Sequence, residues 1–154
     1  MRKIINFMVI LAFFVGCSSK EIIHEPIKNE ILAYTQKAEI ISQNERALIV
    51  ATYTNPIQKS DDENFIISIN PADFKILNAS VNGDFDVKFS EISDKDERLN
   101  KAGFNLPWAR HYELIAPTKD SKKLVLVLKI SQNDSPHEVR LEFAKVAKSL
   151  YWNP

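Results

Sequence analysis

Cysteine occurs once in this sequence, at Cys17, and glycine three times, at Gly16, Gly83 and Gly103. A single thiol closes no disulfide within the chain and supplies no multi-cysteine metal site. Two glycines beyond position 16 are too few for the glycine-rich loops that cradle phosphate. The G-x-S-x-G elbow of serine hydrolases is missing as well. So is any excess of one charge, since 20 Lys and Arg meet 20 Asp and Glu. Nucleic-acid binding needs a basic footprint and a membrane-surface patch needs a polybasic one, and neither is here. Long apolar runs are scarce, with one exception at the start of the chain.

That exception is Ile4–Gly16, thirteen residues in which Asn6 is the one clearly polar side chain. As a helix it would extend about 20 Å, against a bilayer core of about 30 Å. It is too short for a permanent span. A basic start, Arg2-Lys3, followed by an apolar core and a small residue is the pattern of a secretory signal peptide. Removing residues 1–16 takes away two basic groups and leaves 18 against 20 acidic ones on 138 residues, the length of one ordinary domain.

The end of this run, Val15-Gly16-Cys17, resembles the lipobox of bacterial lipoproteins, with Phe14 standing where leucine is usual. The resemblance implies that Cys17 receives a diacylglycerol on sulfur and becomes the first residue of the mature chain. It further implies that Ser18 and Ser19, in place of an aspartate after the cysteine, direct the protein to the outer membrane. Acylation would also account for the lone thiol, which is otherwise an odd cysteine in an oxidising compartment. Two or three acyl chains, at about 0.8 kcal/mol per buried CH₂, hold a protein at a membrane almost permanently. Residues 17–29, with Pro26 and mixed charge, read as the lipidated N-terminus and a tether. Residues 30–154 read as the folded domain, facing the periplasm.

Within that domain several segments alternate with a period of two, the mark of strands with one buried face. "DFDVKF" is the cleanest, with Phe85, Val87 and Phe89 on one side and Asp84, Asp86 and Lys88 on the other. "FIISI" aligns Phe65, Ile67 and Ile69; "ERALIVATY" sets Leu48, Val50 and Thr52 against Ile49, Ala51 and Tyr53; "HYELIA" aligns Tyr112, Leu114 and Ala116. "KLVLVLKI" turns Leu124, Leu126, Leu128 and Ile130 inward. Turn signals separate these runs at Asn55-Pro56, Asn70-Pro71, Asn82-Gly83, Ala116-Pro117 and Asn133–Pro136, and Asn82-Gly83 suits a tight hairpin. The expected fold is all-β, an antiparallel β-sandwich that is immunoglobulin-like in general architecture.

Two segments fit both periods. "NEILAYTQKAEIIS", which spans the segment 30–42, suits a helix or an opening strand. In 137–152, Ser135-Pro136-His137-Glu138 resembles a helix cap, yet Val139, Leu141 and Phe143 alternate strictly. The alternation favours a strand paired with "KLVLVLKI" across the turn "QNDSPH". Residues 94–103 are charged and read as a surface loop with room for one helical turn.

Chemistry-bearing patterns are sparse. Asp94, Asp96 and Glu97 begin like a calcium loop, but Arg98 and Asn105 occupy positions that need oxygen ligands from acidic or amide groups at the fifth place and glutamate at the twelfth. Asp61-Asp62-Glu63 reads as a solvated acidic run before a strand. His24 falls in the tether, and His111 and His137 lie at strand ends without metal-ligand spacing, so each reads as a solvated or locally bonded imidazole. No metal and no cofactor is expected. The aromatics remain. Trp108 reads as core, whereas Arg110, Tyr112 and Trp152, near strand ends or the terminus, are the candidates for partner binding. The expectation is a lipid-anchored, non-enzymatic binding or accessory module of the envelope. The competing reading is an envelope enzyme, such as a cell-wall hydrolase, with carboxylates assembled by the fold. If Cys17 carries the anchor, Cys17→Ala abolishes incorporation of a palmitate analogue in growing cells, and unchanged labelling would refute the lipobox reading.

Overall fold

A computed structural model describes residues 26–42, 44–102, 105–133 and 135–146; the expected signal peptide, Cys17, His24 and Trp152 lie outside them. Along the chain come α1 (Pro26–Ala33), β1 (Thr35–Ile41), β2 (Arg46–Tyr53), β3 (Glu63–Asn70), β4 (Lys75–Val81), β5 (Lys88–Ile92), α2 (Glu97–Lys101), β6 (Arg110–Ala116), β7 (Lys123–Gln132) and β8 (Ser135–Ala144). The strands form two antiparallel sheets, one ordered β1-β2-β3-β6-β5 and the other β4-β7-β8. The sheets pack face to face as a β-sandwich, and β1 lies along β8 at one side.

The alternation of the sequence decides which faces meet. In the larger sheet Ala51, Ile67 and Tyr112 stand in one cross-strand row, and Tyr53, Phe65 and Leu114 in the next. These rows face Ile76, Ala79 and Val81 of β4, Leu124, Leu126, Leu128 and Ile130 of β7 and Val139, Leu141 and Phe143 of β8. A line of rings crosses this core, with centroids 6.5 Å apart for Tyr34–Tyr53, 5.3 Å for Tyr53–Phe65 and 5.2 Å for Phe65–Phe143. Tilted and edge-on contacts of this kind add to the area they bury.

Turns close where the sequence places them. Asn82 and Gly83 both have positive φ, and Val81 and Asp84 exchange backbone hydrogen bonds across them. Asn82 then ties the turn to β7: its Oδ1 accepts the Val125 N–H at 2.7 Å, and its Nδ2 donates to the Lys123 carbonyl. The β7–β8 hairpin runs in register from Lys123↔Ala144 to Gln132↔Ser135, so the strand reading of 135–144 holds. In the segment 30–42 both readings hold in part. The helix ends at Ala33 and the strand begins at Thr35. Tyr34 is the joint, its N–H bonded to Ile31 and its carbonyl to the Tyr53 N–H. The helix starts at Pro26, inside the stretch read as tether, which shortens that stretch's reach from about 3.3 Å to 1.5 Å per helical residue.

The cleanest alternation of the sequence turns out to mislead. Residues 85–87 belong to no strand, and Phe85 is 67% exposed. Here the chain crosses from β4 in one sheet to β5 in the other, and the ladder with β6 begins only at Lys88↔Ile115. Val87 packs partly on the core, and Phe89 reaches the rim, edge-on to Tyr112. A crossing segment can place alternate residues against the core without any strand partner, so its period resembles that of a strand. Phe65→Ala should therefore cost about 3–5 kcal/mol of unfolding free energy, whereas Phe85→Ala should stay within about 0.5 kcal/mol. Urea unfolding of the two variants measures this, and equal costs would contradict the packing described.

Candidate functional site

Glu63 opens β3 in phase with Phe65, Ile67 and Ile69, so the pleat turns its carboxylate toward the sandwich interior. It is 1% exposed. A buried carboxylate is tolerable only when paired and hydrogen-bonded. Glu63 has three donors, from the end of β2, the β6–β7 loop and the residue after β8. The Tyr53 hydroxyl donates to Oε2 at 2.7 Å, the Lys119 backbone N–H donates to Oε1 at 2.9 Å, and the Lys145 ammonium also donates to Oε1. Lys145 in turn donates to the Lys119 carbonyl, and the Lys119 ammonium pairs with Asp84. Burial alone would push the Glu63 pKa up. The hydrogen bonds from Lys145, Tyr53 and Lys119 outweigh it and hold the carboxyl below the usual glutamate range. Burial, reinforced by the bond to Glu63, pushes the Tyr53 phenol up.

Above this cluster lies a pocket of about 610 Å³, walled by the β2–β3 loop (Asn55, Pro56, Lys59, Ser60, Asp61), Thr118 and Lys145. Asn55 shapes the loop from within. Its Nδ2 donates to the Asp62 carbonyl at 2.6 Å and its Oδ1 accepts the Asn64 N–H at 2.8 Å. The pocket opens at the end of the sandwich where α1 enters β1.

The opposite end differs in chemistry. There the β1–β2 turn exposes Ile41 (71%), and the connection into β6 exposes Trp108 (83%). Trp108 is not core. It sits in a turn with φ of 59°, on neither face of a strand. Asn70 ties this turn to the end of β3 by donating to the Pro107 carbonyl at 3.2 Å. A shallower pocket of about 290 Å³ runs past Ile41, Arg46, Leu48 and Pro71 at the same end.

Of the candidates for partner binding, Arg110 is half-buried and 3.7 Å from Glu91, near Trp108 in the chain. Tyr112 is buried in the core and presents no exposed ring, because residue 112 falls on the inner face of β6 with Leu114 and Ala116. Trp152 lies outside the described residues. Sequence reasoning missed Glu63, although its signal was present. Extending the phase of Phe65, Ile67 and Ile69 back by one step lands on it. It also took His111 for a solvated or locally bonded ring. His111 is buried and bonded to Ser68, 43 residues away in sequence. His137 shares a hydrogen bond with Glu45 across the edge where β8 meets the β1–β2 turn.

No protein family matches this chain, and comparisons with curated proteins and with solved structures find no match. Chemistry has to be read from the geometry alone. Glu63 as placed is an anchor: its oxygens are occupied and it is held anionic, whereas a general acid needs a raised pKa and a free proton. Glu63→Gln should lower the unfolding free energy by about 3 kcal/mol or more, since it leaves Lys145 without its countercharge. The sign with pH follows from the depressed pKa. Glu63 contributes fully above the unfolded glutamate range, and the contribution is lost as pH falls toward the folded value. Chemical unfolding across the acid limb should therefore show a flatter pH dependence in Glu63→Gln than in the wild type. An identical slope would mean that Glu63 does not carry the charge assigned to it.

Proposed function

We propose that this chain is a lipid-anchored protein of the bacterial envelope that works by binding a protein partner, not by catalysis. In this reading Cys17 holds the molecule to the outer membrane and the domain faces the periplasm. The entry of α1 into β1 marks the membrane-proximal end, and the far end meets the partner. The observation that carries the reading is Trp108, 83% exposed beside Pro107 at the end remote from α1, with Ile41 and Pro71 on the same end. Tryptophan, with arginine near it, is the side chain that most often dominates an interface, and an exposed apolar group rimmed by polar ones marks such a surface. Arg110 is retained as a contributor from the earlier candidates, and Trp108 replaces Tyr112.

The second reading is an envelope hydrolase built on the pocket over Glu63, with Asp61 on its wall as a second carboxylate. The pocket favours it; the occupied, anionic state of Glu63 weighs against it. Crosslinking in native cells, followed by identification of the partner, supplies the protein for a direct test. With that partner purified, Trp108→Ala should lose about 2 kcal/mol of binding, roughly thirtyfold in affinity, with Tm unchanged. An unchanged affinity moves the interface elsewhere. Degradation of peptidoglycan by the purified protein, lost in Glu63→Gln at a temperature where the variant is folded, would replace this reading with the enzyme.

A further inference from the structure

On the outer face of the larger sheet, β3 and β5 are covered in part by residues 93–102, which leave β5 and form α2. Leu99 and Ala102, in and just after α2, pack on Ile66 of β3 and Ile92 of β5. Arg98 fastens the segment by pairing with its own Asp96 and with Glu113 of β6. These attachments are few beside the inner core, so this cap is the part of the sandwich that a local change in free energy can open first.

His111 sits on the same outer face. It is opposite Ile92 in the β5–β6 register and opposite Ser68 in the β3–β6 register, and it is 1% exposed. Its Nδ1 shares a hydrogen bond of 2.8 Å with Ser68 Oγ, while Nε2 has no hydrogen-bond partner among the described residues. A neutral imidazole with its proton on Nδ1 leaves such a nitrogen as an unfilled acceptor at modest cost. A protonated one makes it a buried N–H donor bearing charge, which costs far more.

The charged groups around the ring do not offset that cost. Asp94, on the cap, favours the proton but is exposed, and the Leu106 carbonyl lies beside the ring without completing a hydrogen bond to Nε2. Glu113, on the same face of β6, is committed to Arg98. Arg110 and Glu91 pair with each other on the other face, and β3 offers only Ser68. Burial outweighs Asp94 and Leu106, and the His111 pKa is lowered.

We propose that residues 93–102 form a pH-sensitive cover, opened by protonation of His111 in acid and exposing Ile66 and Ile92. The folded, closed state binds fewer protons at His111 than the open state does. The stability of the closed cap is therefore complete above the ordinary histidine value of about 6.5 and falls as pH drops below it. Trp108 follows this cover in the chain before β6, so opening would also displace the surface proposed for the partner. That consequence rests on the binding reading, while the opening itself does not.

Amide hydrogen exchange of the full chain in detergent, corrected for intrinsic rates, tests this at about pH 7.5 and about pH 5, on either side of the histidine value. Residues 97–102 should exchange at least about tenfold faster at the lower pH, with β7 unchanged, and His111→Asn should abolish the difference. Equal protection at the two pH values, or a difference that persists in His111→Asn, overturns the proposal. Should the variant fail to fold, the wild-type ring itself decides by NMR. Proton uptake at His111 that coincides with loss of cap protection upholds the proposal, and uptake with the cap still protected overturns it. Trp108→Ala should leave the exchange profile as in the wild type. A failure of the Trp108 interface and a failure of the cap are thereby read separately.

Discussion

β3 is buried on both faces, and most of the molecule is arranged around that constraint. Its inner residues Phe65, Ile67 and Ile69 need a second sheet, which β4, β7 and β8 supply. Its outer residues Ile66 and Ser68 are also buried, although the described residues form no third sheet to cover them. Residues 93–102 contribute that cover instead, with Leu99, Ala102 and Arg98. Both ends of the strand are pinned. Glu63 binds the starts and ends of neighbouring elements at one end, and Asn70 holds the Pro107 turn at the other.

These two kinds of cover differ in strength for a physical reason. The inner interface is a close-packed layer of apolar side chains from six or more strands, and its loss means global unfolding. The cap contributes a single short helix, so it opens at lower cost. The buried polar groups follow the same division. Glu63 has every partner it needs and rigidifies the end of the sandwich where it lies. His111, under the weaker cover, has one nitrogen satisfied and one not. A fully satisfied polar cluster stabilises one structure, while a half-satisfied one leaves a place where protonation can change it.

The two ends of the sandwich carry different surfaces. Where α1 joins β1, the surface is a polar pocket of mixed charge over Glu63. At the other end it is apolar and aromatic, with Ile41 and Trp108 exposed. An elongated sandwich tethered at one end would present the other to whatever faces it, which is why the binding proposal rests on that end and not on the pocket.

What the sequence by itself determined is local. Period-two alternation identified the paired strands β2, β3, β6, β7 and β8 and the residues that share a face of each, because a pleat sends neighbours to opposite faces whatever lies beyond them. Asn82-Gly83 announced its turn, because few residue pairs adopt positive φ together. Alternation also misread Asp84–Phe89, since a chain crossing between sheets can have the same period with no strand beside it. What only the tertiary structure decided is which residues meet across distance. Whether Glu63 is solvated or buried depends on Lys119 and Lys145, whether Trp108 is core depends on the turn it occupies, and whether His111 is buried depends on a cap that reads as charged loop. Lys119 and Lys145 lie 56 and 82 residues from Glu63, and Ser68 lies 43 from His111, so no local pattern records these meetings.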